Sequence, residues 1–193
     1  MKEIVRYIYY PHIQTIMRRI LLTGILISSM VSANAQADIQ KLKPAVKIAA
    51  KKMNDALVKK NLHDFVKTTY PKVVESTPGG AEKIEKDLQS QIASIENQGS
   101  KILAAWPGDA TAIIDTAGEY QCTIPQYMKM KLENGIITTQ TTLIALSPDK
   151  GKTWYFIDAT DKVLSKWRSV FPNLSSKLLI RPAPEPTFVP NKK

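Results

Sequence analysis

Apolar positions in the first half of the chain recur at helical spacing. Intervals of three and four residues predict an amphipathic helix over residues 39–60 and another over residues 81–98. A shorter helix is predicted over residues 62–69. It should end before Tyr70-Pro71, because proline disfavours helical backbone in the preceding residue. The apolar positions that define the first helix are Ile39, Leu42, Val46, Ala49, Ala50, Met53 and Leu57.

The second half of the chain alternates apolar and polar residues, as strands do. Residues 119–132 give the clearest alternation, and Pro125-Gln126 interrupts it, which predicts a bulge or a sheet edge there. Asn134-Gly135 predicts a two-residue primed turn into a return strand over residues 136–146. Further strands are predicted over residues 102–106, 111–116 and 153–157.

Helices followed by hairpin-linked strands predict an α+β fold. We expect N-terminal helices packed on a curved antiparallel sheet of about four to five strands. Thr160 is predicted to cap a last helix that ends at Phe171-Pro172. Residues 36–180 then form one domain. Residues 181–193 are a proline-rich arm that lies along the sheet, serves as a peptide ligand or is disordered, and Phe188 with Val189 favours the packed arm.

The N-terminal stretch has the composition of a secretory signal peptide. Arg18-Arg19 precedes an apolar run of about twelve residues, and small residues follow it up to Ala35. The run is shorter than the roughly 20 residues that cross a membrane. Residues 1–35 are therefore predicted to be removed, and Met17 is an alternative translation start. The product is expected to be periplasmic or secreted without a stable membrane anchor.

The chain is basic, with 27 Lys and Arg against 17 Asp and Glu and a net charge of +10. Most of these charges are dispersed lysines, whereas nucleic-acid binders favour arginine clusters with interleaved aromatic residues. We expect no nucleic-acid partner and a weak attraction to an anionic envelope component, either polysaccharide or lipid headgroup. Lys43, Lys47 and Lys51 form a stripe that either docks on an anionic surface or, as favoured here, is a solvated helix face.

Few residues in this sequence can bind a metal ion or act as a nucleophile. Cys122 is the only cysteine, so no intramolecular disulfide forms, and its apolar neighbours favour a buried packing role over catalysis. His63 is the only histidine beyond the leader. One histidine and one cysteine do not make a zinc site, and neither a metal nor a cofactor is expected. His63 and Asp158 are the candidate proton carriers if the protein is an enzyme.

The motif Ser147-x-Asp149-x-Gly151-x-x-Trp154 resembles the Asp-box of sialidase-like propellers. We predict a structural role, in which Asp149 accepts hydrogen bonds from loop N–H groups, Gly151 takes positive φ and Trp154 packs beneath the loop. A sialidase is excluded because the chain is too short for a propeller. Only two arginines follow the leader, whereas a sialidase site needs three.

The order of elements resembles the cone-shaped fold of the nuclear transport factor two-like and cystatin-like group. The resemblance lies in the helix over residues 44–60, the short helix ending at Tyr70-Pro71, the helix after Gly79-Gly80 and the strands up to residues 154–158. It implies a pocket between the sheet and the helices. The group includes ketosteroid isomerase-like and scytalone dehydratase-like enzymes beside non-catalytic modules, and no motif here matches the catalytic residues of those enzymes.

These observations favour an exported, non-catalytic module that binds a small apolar ligand, a peptide or an envelope partner in the cone. The predicted pocket wall combines apolar faces with polar handles, and its members are Tyr70, Tyr120, Tyr127 and Trp154. One alternative is a small isomerase, dehydratase or hydrolase that uses His63 or Asp158. Another is a protein–protein interaction module that pairs through a sheet face or the proline-rich arm.

Overall fold

The computed structural model describes residues 38–116, 118–159 and 167–191. The predicted leader, the alternative start at Met17 and most of the predicted last helix lie outside the described residues; residues 167–170 of that helix are helical. The chain divides into two compact units at Lys41 and Leu42. In the first unit, residues 38–40 are helical and the Lys41 ammonium pairs with Asp38 at 2.7 Å. The fold described below belongs to the second.

Within residues 42–100, all of which are described, four helices precede the sheet: α1 (Lys43–Val58), α2 (Leu62–Val66), α3 (Pro71–Ser76) and α4 (Gly80–Asn97). Pro44 lies in the first turn of α1, as predicted, where its missing N–H breaks no hydrogen bond. Asn61 caps α2, since its side chain accepts a hydrogen bond from the Asp64 N–H at 3.2 Å. The sequence did not predict α3. Its first residue is proline, whose fixed φ suits a helix start.

The sheet confirms the predicted fold class. Six strands form one curved, open antiparallel sheet in the order β1-β3-β4-β5, while β2 pairs with β3 and β6 pairs with β4. The sheet has one strand more than the largest number expected. The strands are β1 (Lys101–Pro107), β2 (Ile114–Thr116), β3 (Glu119–Leu132), β4 (Gly135–Ser147), β5 (Tyr155–Asp158) and β6 (Thr187–Pro190).

Of the two alternatives predicted at Pro125-Gln126, the bulge is wrong and the local sheet edge is confirmed. β3 pairs with β4 in unbroken register along its length, and the irregularity lies on β1 between Ile102 and Ala104. On the other side of β3, the pairing with β1 ends at Gln126 and the pairing with β2 begins at Gln121. Pro125 thus lies where β3 changes neighbours, a position that tolerates a residue without an N–H.

The primed turn predicted at Asn134-Gly135 is also wrong, although the hairpin is real. Leu132 pairs with Gly135, so the loop consists of Glu133 and Asn134, and neither residue has positive φ. Gly135 serves a different purpose. A Cβ at this position would lie 2.6 Å from the Phe188 ring and would also collide with the Val189 carbonyl. The glycine permits the close approach of β6.

The proline-rich arm is packed along the sheet rather than extended away from it. Its strand β6 pairs with residues 135–138 of β4, and all four of its residues are exposed. Asn191 adds two hydrogen bonds to the hairpin loop, each of 2.9 Å: its N–H donates to the Asn134 carbonyl and its Nδ2 to the Glu133 carbonyl.

The two faces of the sheet are covered differently along its length. The inner face meets the helices, where Met128 packs against Leu57, Leu62 and Ile92. On the outer face, the segment 171–178 covers one end of β4 and β5. The buried members of this outer cluster are Tyr70, Ile144, Leu146, Ile157, Ala159, Phe171, Leu174 and Leu178.

Because the 171–178 segment covers only one end of the outer face, the hairpin of β3 and β4 has two different halves. We call residues 119–124 and 143–147 the closed half, where Gln121, Cys122, Ile144, Ala145 and Leu146 are fully buried. We call residues 126–132 and 135–140 the open half, where side chains on both strands are mostly half-buried.

Candidate apolar ligand cavity

A cavity of about 450 Å³ lies between the helices and the inner face of the sheet. Its wall is mainly aliphatic and aromatic, and Thr69, Gln91, Gln126 and Asp158 are the polar residues among the described lining. The apolar lining residues are Met53, Leu57, Phe65, Val73, Leu88, Ile92, Ile95, Ile102, Met128, Leu143, Phe156, Ile157 and Trp167.

Helical periodicity explains how this wall is assembled. Leu88, Ile92 and Ile95 of α4 are spaced by four and three residues, so they share one face of the helix. Met53 and Leu57 of α1 share a face in the same way. The sheet supplies the opposite wall through residues such as Met128, which the alternation of β3 directs toward the helices.

A buried amide pair fixes one polar group of the cavity. The Gln126 Nε2 donates a hydrogen bond to Asn54 Oδ1, and the Thr141 hydroxyl lies 3.4 Å from Gln126 Oε1. Asn54 is fully buried, and its Nδ2 has no hydrogen-bond partner among the described residues. A buried donor left in this state costs about 1–3 kcal/mol. The bonds to Asn54 and Thr141 orient the Gln126 amide within a mainly apolar wall.

Asp158 is the one titratable residue among the described cavity lining. It ends β5 and is exposed, so its carboxylate belongs to the rim rather than to the buried interior. Its backbone carbonyl accepts a hydrogen bond of 2.9 Å from the Trp167 indole N–H. This contact holds two lining residues together at the edge of the cavity.

His63, the other candidate proton carrier, lies elsewhere. Its side chain is 70% exposed on α2, outside the cavity lining, and its Nδ1 is 3.6 Å from Glu85 Oε2 of α4. The adjacent Asp64 pairs with Lys67 at 3.1 Å, and this hydrogen bond lowers the pKa of the Asp64 carboxyl. The structure does not bring His63 and Asp158 together in one pocket.

The four aromatic residues predicted as a pocket wall are dispersed, and none lines this cavity. Tyr70 is buried under the 171–178 segment, and its hydroxyl donates a 2.6 Å hydrogen bond to Glu119. Burial and this hydrogen bond raise the pKa of Tyr70 well above its usual value.

The other three aromatic residues have separate surroundings. The Lys150 ammonium lies 4.8 Å from the centre of the Tyr120 ring, and Tyr127 stacks on Trp106 with ring centres 5.5 Å apart. Trp154 is buried next to the Asp-box loop. Aromatic residues with polar handles do not identify this wall, which is mainly aliphatic. The spacing of Leu88 and Ile95 within the helix predicted over residues 81–98 indicates only that they face inward.

The Asp-box loop has the hydrogen bond from a loop N–H to Asp149 and the positive φ of Gly151 that were predicted. Asp149 Oδ1 accepts hydrogen bonds from the Thr153 N–H at 2.9 Å and from the Ser147 hydroxyl at 2.8 Å, and Gly151 has φ of +90°. Desolvation alone would raise the pKa of Asp149. The hydrogen bonds outweigh it and lower this pKa to about 2. The motif stabilises the β4–β5 hairpin.

The Cys122 thiol, the last candidate nucleophile, has a packing role. Cys122 is fully buried, as predicted, and burial raises the pKa of its thiol to about 12, so little nucleophilic thiolate exists at neutral pH. Within the described ranges, no group of three or more His, Cys, Asp or Glu side chains is placed to hold a metal ion. No helix in those ranges has the length and apolar character needed to cross a membrane.

Comparison with known proteins gives no relative. The chain matches no protein-family model, and neither curated proteins nor solved structures give a significant match. The resemblance to the nuclear transport factor two-like and cystatin-like group therefore stays a prediction, and the candidate site rests on the geometry of this chain.

Proposed function

We propose that this protein is an exported, non-catalytic module that binds a small apolar ligand in the cavity between its helices and the inner face of its sheet. The observation that carries the proposal is the cavity itself. Its volume of about 450 Å³ lies within the roughly 300–1,000 Å³ typical of ligand pockets, and its lining is mostly hydrocarbon. The signal-peptide pattern of residues 1–35 supports export.

The distribution of polar groups suggests the chemistry of the ligand. Burial of apolar surface contributes about 25 cal/mol per Å², so an aliphatic wall favours a ligand that is mainly hydrocarbon. Gln126 offers a hydrogen-bonding amide within the wall. We infer a ligand with an apolar body and one polar group that can form a hydrogen bond with an amide.

The geometry of this cavity argues against catalysis within it. General acid–base catalysis requires proton carriers within hydrogen-bond reach of a bound substrate. His63 is outside the cavity, which leaves Asp158 as the single titratable group in the described lining. An isomerase or dehydratase would have to depend on this one exposed carboxylate.

A titration with N-phenyl-1-naphthylamine, a neutral apolar dye that fluoresces in apolar surroundings, tests the proposal. The purified protein should enhance the dye fluorescence in a saturable way. Ile95→Trp places a larger ring at the cavity wall and should weaken binding by roughly tenfold or more, because it fills the space for the dye. Myristate and a neutral sterol should then be tested as competitors.

Ile48→Trp is the matched control, since Ile48 is 70% exposed on α1 and does not line the cavity. It should leave the affinity for the dye within about twofold. Equal affinities in the two variants, or no saturable binding to the parent protein, would contradict the proposal.

A further inference from the structure

The outer face of β1 and of the neighbouring open half carries a group of lysine and aromatic side chains that the cavity does not use. Ile102 and Met128 line the inner cavity, so the alternation of β1 and β3 directs Lys101, Tyr127 and Lys129 to the opposite face. Trp106 shares that face because it pairs with Tyr127, beyond the register shift between Ile102 and Ala104. We call this group the outer lysine–aromatic surface. Its members are Lys101, Trp106, Tyr127, Lys129 and Lys131.

The lysines of this surface are close together and unneutralised. Lys101 pairs directly with Lys131 across the two strands, and Lys129 lies two residues further along β3 on the same face. Opposed residues have Cα atoms about 5 Å apart, and like charges in such positions destabilise a sheet. Within the described ranges, none of the three ammonium groups lies within 4.0 Å of a carboxylate.

The lysine stripe of α1 provides the contrast. Lys47 pairs with Asp109 and Lys51 pairs with Asp55, each at 2.6 Å. The first of these pairs lowers the pKa of Asp109. Two lysines of the α1 stripe are therefore neutralised by carboxylates. The lysines on the outer face of the sheet have no such partner among the described residues, so their charges can attract an external anion.

An aromatic platform lies beside these charges. Trp106 and Tyr127 are opposed in the sheet and stack with ring centres 5.5 Å apart at an interplanar angle of 13°. The Trp106 side chain is 38% exposed although it is one of the largest apolar groups in the protein. On the same face, Thr138 lies opposite Lys129 and Gln140 lies opposite Tyr127, and both can form hydrogen bonds with a polar ligand.

We propose that the outer lysine–aromatic surface binds an acidic polysaccharide. One sugar ring packs its C–H face on the exposed part of Trp106, and successive carboxylate or sulfate groups pair with Lys129, Lys131 and Lys101. Residues two apart on a strand are about 7 Å apart, so the charges and the ring form a linear track suited to an extended anionic chain. This binding is independent of the proposed cavity ligand.

Single-stranded nucleic acid fits the surface less well. Such binders stack successive bases on separate aromatic rings, and they commonly add arginine contacts. Here the two rings stack on each other, so together they offer one platform rather than two, and the surface contains no arginine. An acidic glycan requires one platform and several point charges.

Binding to immobilised polygalacturonate, measured by biolayer interferometry near 150 mM ionic strength, tests this proposal. The triple variant Lys101→Gln/Lys129→Gln/Lys131→Gln should bind about tenfold more weakly, because the surface charges it removes act at short range under this screening. The control Lys52→Gln/Lys59→Gln/Lys152→Gln removes the same charge from exposed lysines elsewhere and should change affinity less than twofold. Neutral dextran should not bind.

Trp106→Leu provides a second test that leaves the net charge unchanged. It should weaken binding by roughly fivefold, since it removes the platform, and thermal melts should show that both test variants remain folded. The triple variant should melt at the same or a higher temperature, because it removes like-charge repulsion. Equal losses in the two triple variants, unaltered binding by Trp106→Leu, or tighter binding of oligo-dT than of polygalacturonate would overturn the proposal.

Discussion

The closed and open halves of the central hairpin are built from the same two strands, yet their surroundings differ. In the closed half, the helices cover one face and the 171–178 segment covers the other, so Ile144 and Leu146 are fully buried. In the open half, the inner face borders the cavity, and the outer face continues onto β1 with several lysines and the exposed Trp106. The comparison suggests that one end of the hairpin stabilises the fold while the other provides surfaces for ligands.

Polar residues show the same division. In the closed half, Glu119, Gln121 and Thr123 of β3 are buried and bonded to the C-terminal segment: Asn173 donates to Glu119 at 3.0 Å, and the Thr123 hydroxyl donates to the Leu179 carbonyl at 2.7 Å. Buried polar groups need such partners, because an unsatisfied group costs about 1–3 kcal/mol. The lysines of the open half are hydrated by solvent instead of bonded to the C-terminal segment.

The largest expected effect comes from truncating a core side chain in the closed half. Ile144→Ala should lower the free energy of unfolding by about 3–4 kcal/mol, because it leaves a cavity in a fully packed site. Ile137→Ala, the same change in the half-buried open half of the same strand, should cost roughly 1 kcal/mol. Urea unfolding of both variants measures the difference. Equal costs would show that the two halves do not differ in packing.

A smaller effect is expected from the buried tyrosine–carboxylate pair. Tyr70→Phe removes the hydroxyl that donates to Glu119, and it should lower the free energy of unfolding by about 1–2 kcal/mol. Lys72, at 3.8 Å, and Asn173 remain as partners of the carboxylate and limit the loss. Tyr127→Phe is the control in the open half and should cost less than about 0.5 kcal/mol. If Tyr70→Phe leaves the free energy of unfolding unchanged, this hydrogen bond contributes no net stability.

The contact between the hairpin and the C-terminal strand gives a third, context-dependent effect. Gly135→Ala should destabilise the full chain by about 1–2 kcal/mol, since the added Cβ meets the Phe188 ring and the Val189 carbonyl. In a chain that lacks residues 187–193, the same substitution should be nearly neutral. A double-mutant cycle by thermal unfolding measures this coupling. An equal cost in both backgrounds would place the strain in the turn instead.

The smallest effect is expected at the Asp-box loop, and it depends on pH. The pKa of Asp149 is about 2 in the folded protein against 3.8 ordinarily, so its stabilisation is present above pH 3.8 and is lost as the pH falls toward 2. Because the carboxylate is only half-buried and solvent screens it, we expect Asp149→Ala to cost only about 1 kcal/mol at pH 7. Thermal melts from pH 7 to pH 2 should show the two proteins converging. A constant difference would mean that the charge of Asp149 is not involved.

The periodicity of the sequence was sufficient to predict the fold class and most elements. Apolar spacing located α1 and α4, and alternation located β3, because both patterns follow from which face of an element is buried. The errors arose where a local signal had a non-local cause. The Asn134-Gly135 pair predicts a turn glycine. In the structure, a side chain at Gly135 is excluded by contact with β6, which lies more than fifty residues later in the chain. The alternation along β3 places Gln121 among the polar, solvent-facing positions. It is buried because the distant C-terminal segment packs over it, where the Ser175 N–H donates a hydrogen bond to its side chain.

The candidate sites were harder to predict, for a related physical reason. An aliphatic cavity wall and a packed core have the same composition, so Leu88 and Ile95 could be identified as inward-facing but not as lining a space. The outer lysines lie on two strands, and only their register shows that Lys101 opposes Lys131. Both the cavity and the outer lysine–aromatic surface depend on how separate elements pack and pair, which the pattern within a single element does not report.

The most direct test of the account is whether an apolar ligand enters the space between the helices and the sheet. Met53 and Met128 line this cavity, whereas Met130 does not, so ¹³C-methyl methionine NMR reports on it from both walls. With saturating N-phenyl-1-naphthylamine, the Met53 and Met128 methyl resonances should shift together and that of Met130 should move little. Unchanged Met53 and Met128 resonances at saturation would contradict the proposed cavity and the function assigned to it.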